Sequence, residues 1–252
     1  ELGISEMNLF SLLAQLGLSH EMNGQLLLPV GTVYDPFVCR GLDALIYGLY
    51  SGSRFIFAGT PSGVSLSPEG GAHQSSVTAS LGMELPLLDY YEPCFAFEVE
   101  WALLEGLRQC CDRTRGRSTY LRLSTKPVDQ SLAAPALARA GAEELCDQAL
   151  AGGYVLREPG QGPLVHLVSC GAMVPDALAA ADFLEREGVA TRVIHLVSPR
   201  RAYEDWRSSA GRRDHCVSRL IPAPERHAPV VTVLDGAASA LAWVGGVFGQ
   251  PT

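Results

Sequence analysis

The sequence lacks the features that mark several classes of protein. It has no apolar run of the ~20 residues that a membrane-spanning helix needs. It shows no signal-peptide pattern and no tandem repeat of the kind that builds solenoids. Basic residues are also outnumbered, because 19 lysines and arginines face 27 acids and leave a net charge of −8. We therefore expect neither a nucleic acid nor a membrane as a partner.

Cysteine motifs are equally scarce. The seven cysteines include no C-x-x-C pair, and their odd number disfavours a disulfide framework. They are spread through apolar segments, and Cys110 and Cys111 are adjacent within a stretch of helical pattern. Packed, reduced thiols of this kind are typical of cytoplasmic proteins, and we expect a cytoplasmic location.

The chain has enough apolar residues for a large core. Its 252 residues are 47% hydrophobic, which predicts two domains. Short apolar runs alternate with segments of helical period, an order that predicts βαβ crossovers and parallel sheets. We therefore expect an α/β fold of two consecutive three-layer α/β/α units with mainly parallel sheets. The predicted strands are 26–33, 55–58, 85–88, 119–123, 164–169, 190–197 and 230–234, and the predicted helices are 7–16, 35–50, 92–113, 174–187 and 237–248.

The domain boundaries are predicted from composition. Residues 126–138 are rich in proline, alanine and serine and show no clear period, which favours a linker. We predict a first domain over 1–126, a linker over 127–160 and a second domain over 161–252. Residues 199–227 hold most of the basic charge of the second half. They predict surface structure with one short helix, either a solvated face or a docking surface for a partner domain.

An acid and a long loop are the first candidates for function. Ser5 suits the N-cap of the first predicted helix, and a carboxylate in the first turn is favoured by the helix dipole. Glu6 is thus either an ordinary helix-terminal acid or a buried catalytic carboxylate. The loop over 59–76 is rich in Gly, Ser and Pro and carries Glu69 and His73. Loops of this length are usually functional or disordered.

Several short motifs follow one another along nearly the whole chain. They are Gly3-Ile4-Ser5-Glu6, the stretch 28–37 with Tyr34 and Phe37, Ala58-Gly59-Thr60-Pro61-Ser62-Gly63, Glu69-Gly70-Gly71-Ala72-His73, the stretch 89–98, and the strand 164–169 with Cys170-Gly171 and Ser198. In this order and spacing they resemble the thiamin diphosphate-dependent enzymes of the transketolase group. The resemblance is strongest to the homodimeric-type pyruvate dehydrogenase decarboxylase component of bacteria.

This resemblance implies a role for each candidate residue. The first domain resembles the family's pyrimidine-binding domain without its N-terminal part, and the second resembles a truncated transketolase C-terminal domain. Glu6 would bind the aminopyrimidine ring of thiamin diphosphate and promote formation of the thiazolium ylid. Tyr34 and Phe37 would flank the pyrimidine, or they are simply core aromatics. His73 would be a second catalytic residue, and Glu69, His73 and Gln74 would form a possible substrate site. The alternative, non-functional interpretation of His73 and Glu69 is that both side chains are solvated.

The same resemblance shows what is missing. No Gly-Asp-Gly motif followed by Asn is present, so Mg²⁺ and the diphosphate would be held by a domain or chain not present here, and we predict no metal ligand in this chain. We therefore expect a fragment or split subunit that needs a diphosphate-binding partner. A homodimer or heterotetramer is expected, and an acyl-carrier or lipoyl partner is possible. The family's acid- and histidine-rich run is replaced here by 74–79, and His73-Gln74 is similar to the pair in sugar-handling transketolases.

Three functions follow from these observations. The first is part of a thiamin diphosphate-dependent 2-oxoacid dehydrogenase decarboxylase component, similar to pyruvate dehydrogenase. The second is a split transketolase-like enzyme that acts on another ketol or acyl donor. The third is a non-catalytic assembly module of the same fold, which the missing motif and the altered run after His73 both allow.

Overall fold

The computed structural model describes residues 4–66, 70–209 and 214–250. The chain divides into two units, the first made of Glu1–Tyr91 with Val99–Lys126 and the second of Glu92–Glu98 with Pro127–Thr252. Each unit has its own four-stranded, mainly parallel sheet with helices around it. The α/β class predicted from the sequence is therefore confirmed. Within the described ranges, none of the helices is both long enough and apolar enough to cross a bilayer.

The first unit is a parallel sheet with the strand order β1-β2-β4-β3. Its strands are β1 (Val30–Val33), β2 (Ile56–Gly59), β3 (Leu88–Tyr91) and β4 (Ser118–Arg122). Its helices are α1 (Glu6–Gly17), α2 (Ser19–Asn23), α3 (Leu42–Tyr50), α4 (Thr78–Glu84) and the larger part of α5 (Ala96–Cys111), with 3-10 turns at Asp35–Gly41 and Gly71–His73.

Aromatic packing joins α1 to the centre of this sheet. Phe10 of α1 meets Phe57 of β2 edge-on at 5.1 Å, and Phe57 stacks on Tyr120 of β4 at 4.5 Å. All three rings are buried. Gly41 lets α1 lie this close to the 3-10 turn, because a Cβ there would stand 2.8 Å from the carbonyl oxygen of Glu6. The start of α1 is thereby held beside the turn that follows β1.

The second unit has the strand order β5-β7-β6-β8, with only β5 antiparallel among the described strands. Its strands are β5 (Tyr154–Arg157), β6 (Leu164–Ser169), β7 (Ala190–His195) and β8 (Val230–Val233). Its helices are α6 (Ala134–Ala140), α7 (Ala142–Ala151), α8 (Val174–Arg186), α9 (Pro199–Ser208), α10 (Cys216–Leu220) and α11 (Trp243–Gly246), with 3-10 turns at Gln130–Ala133, Gly171–Met173, Ala223–Glu225 and Ala238–Ala240.

Residues 127–160 differ most from the sequence-based prediction. Instead of a linker they form α6, α7 and β5, and they belong to the second unit. Ala136 of α6 and Ala149 of α7 are fully buried, and β5 pairs with β7. The buried positions of these helices thus include small alanine side chains. The segment therefore shows little of the periodic pattern of large apolar residues that identifies a helix in a sequence.

Two other predictions need correction. The strand predicted at 85–88 lies at β3, because Pro86 has no N–H to donate and Leu87 adopts a positive φ of 59°. Residues 199–227 are not mainly surface structure with one helix. They include α9 and α10, whose buried side chains help to form the hydrophobic core of the second unit. These buried side chains are those of Ala202, Cys216, Val217 and Leu220, and Ile221 at the C-cap of α10 joins them.

Glu98 is the centre of a buried polar network in the second unit. Its carboxylate accepts hydrogen bonds from the backbone N–H of Phe95 at 2.9 Å and from the Tyr154 hydroxyl at 2.6 Å. It also lies 3.1 Å from Nε2 of His195. Burial works to raise the pKa of Glu98, but the charge interaction with His195 and these hydrogen bonds hold the pKa below its ordinary value.

This lowered pKa predicts a loss of stability in acid. The folded state binds fewer protons at Glu98 than the unfolded state does, so the contribution of Glu98 is present above the unfolded pKa of 4.5 and is lost as the pH falls below it. We expect Glu98→Gln to lower stability at pH 7 and to flatten the loss between about pH 5 and pH 3. Urea midpoints across this range measure both effects. Equal pH dependence in the two proteins would contradict the assignment.

Candidate functional site

Glu6 lies in the first turn of α1, where the sequence places it. Its side chain is largely buried, with 13% of its area exposed, and its Oε1 lies 3.6 Å from Nη1 of Arg40. Ser5 occupies the N-cap position, but its side chain makes no capping hydrogen bond. The backbone carbonyl of Ser5 accepts from the N–H of Leu9 instead, at 3.0 Å. The carboxylate of Glu6 is therefore directed to a side chain of the neighbouring turn.

Three rings form the wall of the site. Tyr34 lies just before the 3-10 turn Asp35–Gly41, Phe37 lies within it, and His73 closes the turn Gly71–His73. The ring centroids are 4.9 Å apart for Tyr34 and His73, 5.4 Å for Phe37 and His73, and 5.8 Å for Tyr34 and Phe37. We call Tyr34, Phe37 and His73 the ring cluster. The two turns thus bring together residues that are far apart in the sequence.

Arg40 connects Glu6 to the ring cluster. Its Cζ lies 3.9 Å from the centroid of the Phe37 ring, while its Nη1 faces Glu6. The structure therefore brings Glu6, Tyr34, Phe37 and His73 into one site through Arg40. Asp43 follows Arg40 by three residues, a spacing that permits a pair on helical backbone, but the structure pairs Arg40 with Glu6.

The remaining predicted residues take different places. The side-chain amide of Gln74 donates to the carbonyl of Val64 at 2.9 Å and is exposed, so it fastens the loop. Glu69 lies outside the described residues. Nδ1 of His73 is buried and has no hydrogen-bond partner within the part of the chain that the structure describes. Buried polar atoms are nearly always paired in native proteins, so this nitrogen is suited to meet a ligand.

A buried ionic network next to the ring cluster was missed by the sequence analysis. Asp35, which lies between Tyr34 and Phe37 in the chain, is fully buried. Its carboxylate accepts hydrogen bonds from the Tyr120 hydroxyl, from the Thr78 hydroxyl at 2.5 Å and from Nε of Arg122 at 3.2 Å. Burial and the negative charge of Asp35 raise the pKa of Tyr120 well above its ordinary value.

This network holds the two turns of the site on the sheet. Nη2 of Arg122 donates to the carbonyl of Ser75 at 3.4 Å, in the segment that follows His73. Gly59 at the end of β2 gives the carboxylate room, because a Cβ there would stand 2.7 Å from Oδ1 of Asp35. Residues two apart on a strand share a face, so the pair Tyr120 and Arg122 was the sequence signal that could have revealed the network.

The site offers no metal centre of its own. Among residues 4–66, 70–209 and 214–250, no three His, Cys, Asp or Glu side chains cluster closely enough to hold a metal ion. What the arrangement offers is a shielded carboxylate, aromatic faces and an unpaired imidazole nitrogen. Such a set can bind a flat heterocycle and exchange a proton with it.

Comparison with known proteins finds transketolase-like relatives. The model of the transketolase C-terminal domain family matches residues 153–219. Transketolase 1 of Pasteurella multocida is 29% identical over 195 residues, which cover 73% of this chain and 27% of that protein. Over most of its length the chain is similar to thiamin diphosphate-dependent enzymes of the transketolase-like group. The resemblance drawn from the sequence is thereby confirmed.

Other transketolase-like relatives carry different names. The 1-deoxy-D-xylulose-5-phosphate synthase 2 of Streptomyces coelicolor is 30% identical over 211 residues, covering 82% of this chain and 28% of that protein. The pyruvate dehydrogenase E1 component of Pseudomonas aeruginosa is 25% identical over 191 residues, covering 74% and 21%. This chain thus spans about a quarter of the length of these transketolase-like proteins, and their names do not single out one reaction.

Solved structures show the same transketolase-like fold. Transketolase from Leishmania mexicana superposes with a TM-score of 0.73 at 20% identity, over 96% of this chain and 31% of that one. A split-gene transketolase, in the form of an inactive β4 tetramer, superposes with a TM-score of 0.60 at 21% identity, over 99% of this chain and 83% of that one. At these identities the likeness concerns the fold alone.

Proposed function

We propose that this chain supplies the aminopyrimidine pocket of a split thiamin diphosphate-dependent enzyme of transketolase-like type. The observation that supports the proposal is the meeting of Glu6 with the ring cluster, since four residues singled out by the family resemblance come together in one site. A scaffold that had lost its chemistry would have no need of a shielded acid beside the ring cluster.

The residues present fit the cofactor's pyrimidine. Phe37 and Tyr34 offer ring faces on which a flat heterocycle stacks well, and Tyr34 is 44% exposed. The carboxylate of Glu6 can form a hydrogen bond to a ring nitrogen. When bound, thiamin diphosphate supplies a thiazolium carbon that adds to a substrate carbonyl and serves as an electron sink.

The protein's own contribution is to move and hold protons. Glu6 would share a proton with the pyrimidine nitrogen, and its low exposure strengthens that hydrogen bond because the local dielectric is low. His73, through the unpaired Nδ1, would form a hydrogen bond to an oxygen of the substrate. Asp35 would act indirectly, since it fixes the turn that carries Phe37.

A partner chain or domain would complete the site. We propose that it holds Mg²⁺ and the diphosphate and that the assembly is a homodimer or heterotetramer. The similarity to a split-gene transketolase, whose β4 tetramer is inactive, supports the need for a second chain. An acyl-carrier or lipoyl partner belongs only to the alternative of a 2-oxoacid dehydrogenase component, which the relatives named pyruvate dehydrogenase E1 support.

Binding of the cofactor tests the pocket. Thiamin diphosphate and Mg²⁺ are titrated calorimetrically into the complex with the chain that carries the diphosphate-binding domain. We expect Phe37→Ala to weaken binding about fivefold or more, because stacking on an aromatic ring is worth about 1 kcal/mol beyond the buried area. Phe183→Ala, which removes an exposed ring of α8 in the second unit, is the matched control. Unchanged binding by Phe37→Ala would refute the pocket.

The donor substrate that is consumed distinguishes a transketolase-like reaction from 2-oxoacid decarboxylation. The same complex is offered ketose phosphates and 2-oxoacids in parallel. We expect cleavage of a ketose, because His73-Gln74 resembles the pair of sugar-handling transketolases and no further histidine follows in 74–79. Decarboxylation of a 2-oxoacid without ketose cleavage would favour the dehydrogenase component instead.

A further inference from the structure

Arg40 already makes the contacts that the pyrimidine pocket offers. Its guanidinium faces the Glu6 carboxylate at 3.6 Å and covers the Phe37 ring at 3.9 Å. A guanidinium is flat, carries N–H donors on its edge and stacks on aromatic faces. An aminopyrimidine is also flat, has an edge that bonds to a carboxylate, and stacks in the same way. One side chain therefore occupies both the acid and the aromatic face.

We propose that Arg40 competes internally with the cofactor's aminopyrimidine, so that the pocket opens only when Arg40 moves away. This inference rests on the proposed function, because it takes Glu6 and Phe37 as the pyrimidine site. The Arg40 side chain is 56% exposed, whereas that of Glu6 is 13% exposed. The arginine is thus the more exposed partner, and water beside it leaves room for its side chain to turn away while Glu6 stays in place.

A second acid offers the displaced arginine an alternative partner for an ion pair. Asp43 is exposed and follows Arg40 by three residues, at the start of α3. Side chains with this spacing on helical backbone are neighbours, and opposite charges there attract. The displaced guanidinium would therefore exchange one carboxylate for another. We infer a side chain with two positions, paired with Glu6 when the pocket is closed and with Asp43 when the pyrimidine is bound.

The pyrimidine half of the cofactor is the sharpest probe. The compound 4-amino-5-hydroxymethyl-2-methylpyrimidine needs no diphosphate site, so the whole chain is titrated alone and followed by NMR. We expect Arg40→Ala and Arg40→Met to bind this probe about fivefold to tenfold more tightly than the wild type, since each removes an exposed ion pair and a cation–π contact. Arg108→Ala, which removes another exposed Arg–Glu pair of the first unit, is expected to bind as the wild type does.

The side-chain signal of Arg40 reports the movement itself. In the wild type, the probe is expected to shift the Nε–H resonance of Arg40, and the size of this shift is expected to fall in Asp43→Asn. Equal or weaker binding by both Arg40 variants, with binding still lost in Glu6→Ala, would overturn the competition and leave the pocket intact. Binding that is the same in Glu6→Ala and wild type, or absent from every variant, would overturn the pocket and the competition together.

Discussion

Replacing Asp35 by alanine is expected to destabilise the first unit by about 3–5 kcal/mol, the range found when one partner of a buried ion pair is removed. Asp35 and Arg122 are both fully buried in their side chains, and two hydroxyl groups, those of Tyr120 and Thr78, also donate to the carboxylate. The alanine variant leaves these donors without that acceptor. Urea unfolding followed by circular dichroism and by tryptophan fluorescence, to which Trp101 of the first unit contributes, measures the loss.

The control for this variant is the substitution of an exposed acid that lies close to the same turn in the sequence. Asp43→Ala is expected to change stability by less than about 0.5 kcal/mol, as surface substitutions usually do. Asp35→Asn keeps the shape and one acceptor oxygen. Its loss of stability should lie between those of Asp35→Ala and Asp43→Ala. A loss below about 1 kcal/mol in Asp35→Ala would show that the network does not stabilise the unit in the way the contacts indicate.

Replacing Glu6 by glutamine is expected to lower turnover of the assembled enzyme by about 10²–10⁴-fold, the usual contribution of a positioned acid–base group. Glutamine keeps the size and can still form a hydrogen bond, but it cannot take up or release a proton at neutral pH. The substitution therefore separates proton transfer from simple binding. Steady-state rates with the preferred donor, at saturating cofactor, measure the effect.

Two comparisons make the Glu6 result specific. Glu84→Gln changes an exposed acid at the end of α4 and is expected to leave the rate unchanged. Titration of the cofactor into Glu6→Gln is expected to show binding within about tenfold of the wild type, because most of its contacts remain. A turnover rate equal to that of the wild type would exclude Glu6 as the proton-transferring group.

The sequence predicts strands and helices well where large apolar side chains recur at the spacing typical of a strand or a helix. The helix from Met7 and the strand 164–169 are found almost as predicted, since their apolar residues face a core. The prediction fails where packing uses small residues, as at 127–160, or where an apolar run forms a turn, as at Leu87. Local pattern does not show which alanines are buried, because that depends on packing partners such as α9, which lies against α7 and follows much later in the chain.

The site is predicted only as far as the family resemblance reaches. Glu6, Tyr34, Phe37 and His73 could be named because each belongs to a recognisable motif. The local sequence of Asp35, with Pro36 after it, favours the role of a helix cap with proline in the first turn. Its partners come from α4 and β4, so their meeting is a product of tertiary structure that no local signal records.

Arg40 illustrates the same limit. Sequence spacing favours its pairing with Asp43 three residues later, but the close approach of α1 at Gly41 brings Glu6 nearer. The contact is therefore decided by a glycine that permits two helical segments to touch.

Exchange of the thiazolium carbon's proton with deuterium, followed by NMR after rapid quenching, tests the central claim most directly. The cofactor is bound to the complex with the chain that carries the diphosphate-binding domain, and no substrate is added. We predict rapid exchange in the wild type and in Glu84→Gln, and exchange at least about 100-fold slower in Glu6→Gln. Equally fast exchange in all three proteins would show that the carboxylate beside the ring cluster does not activate the cofactor.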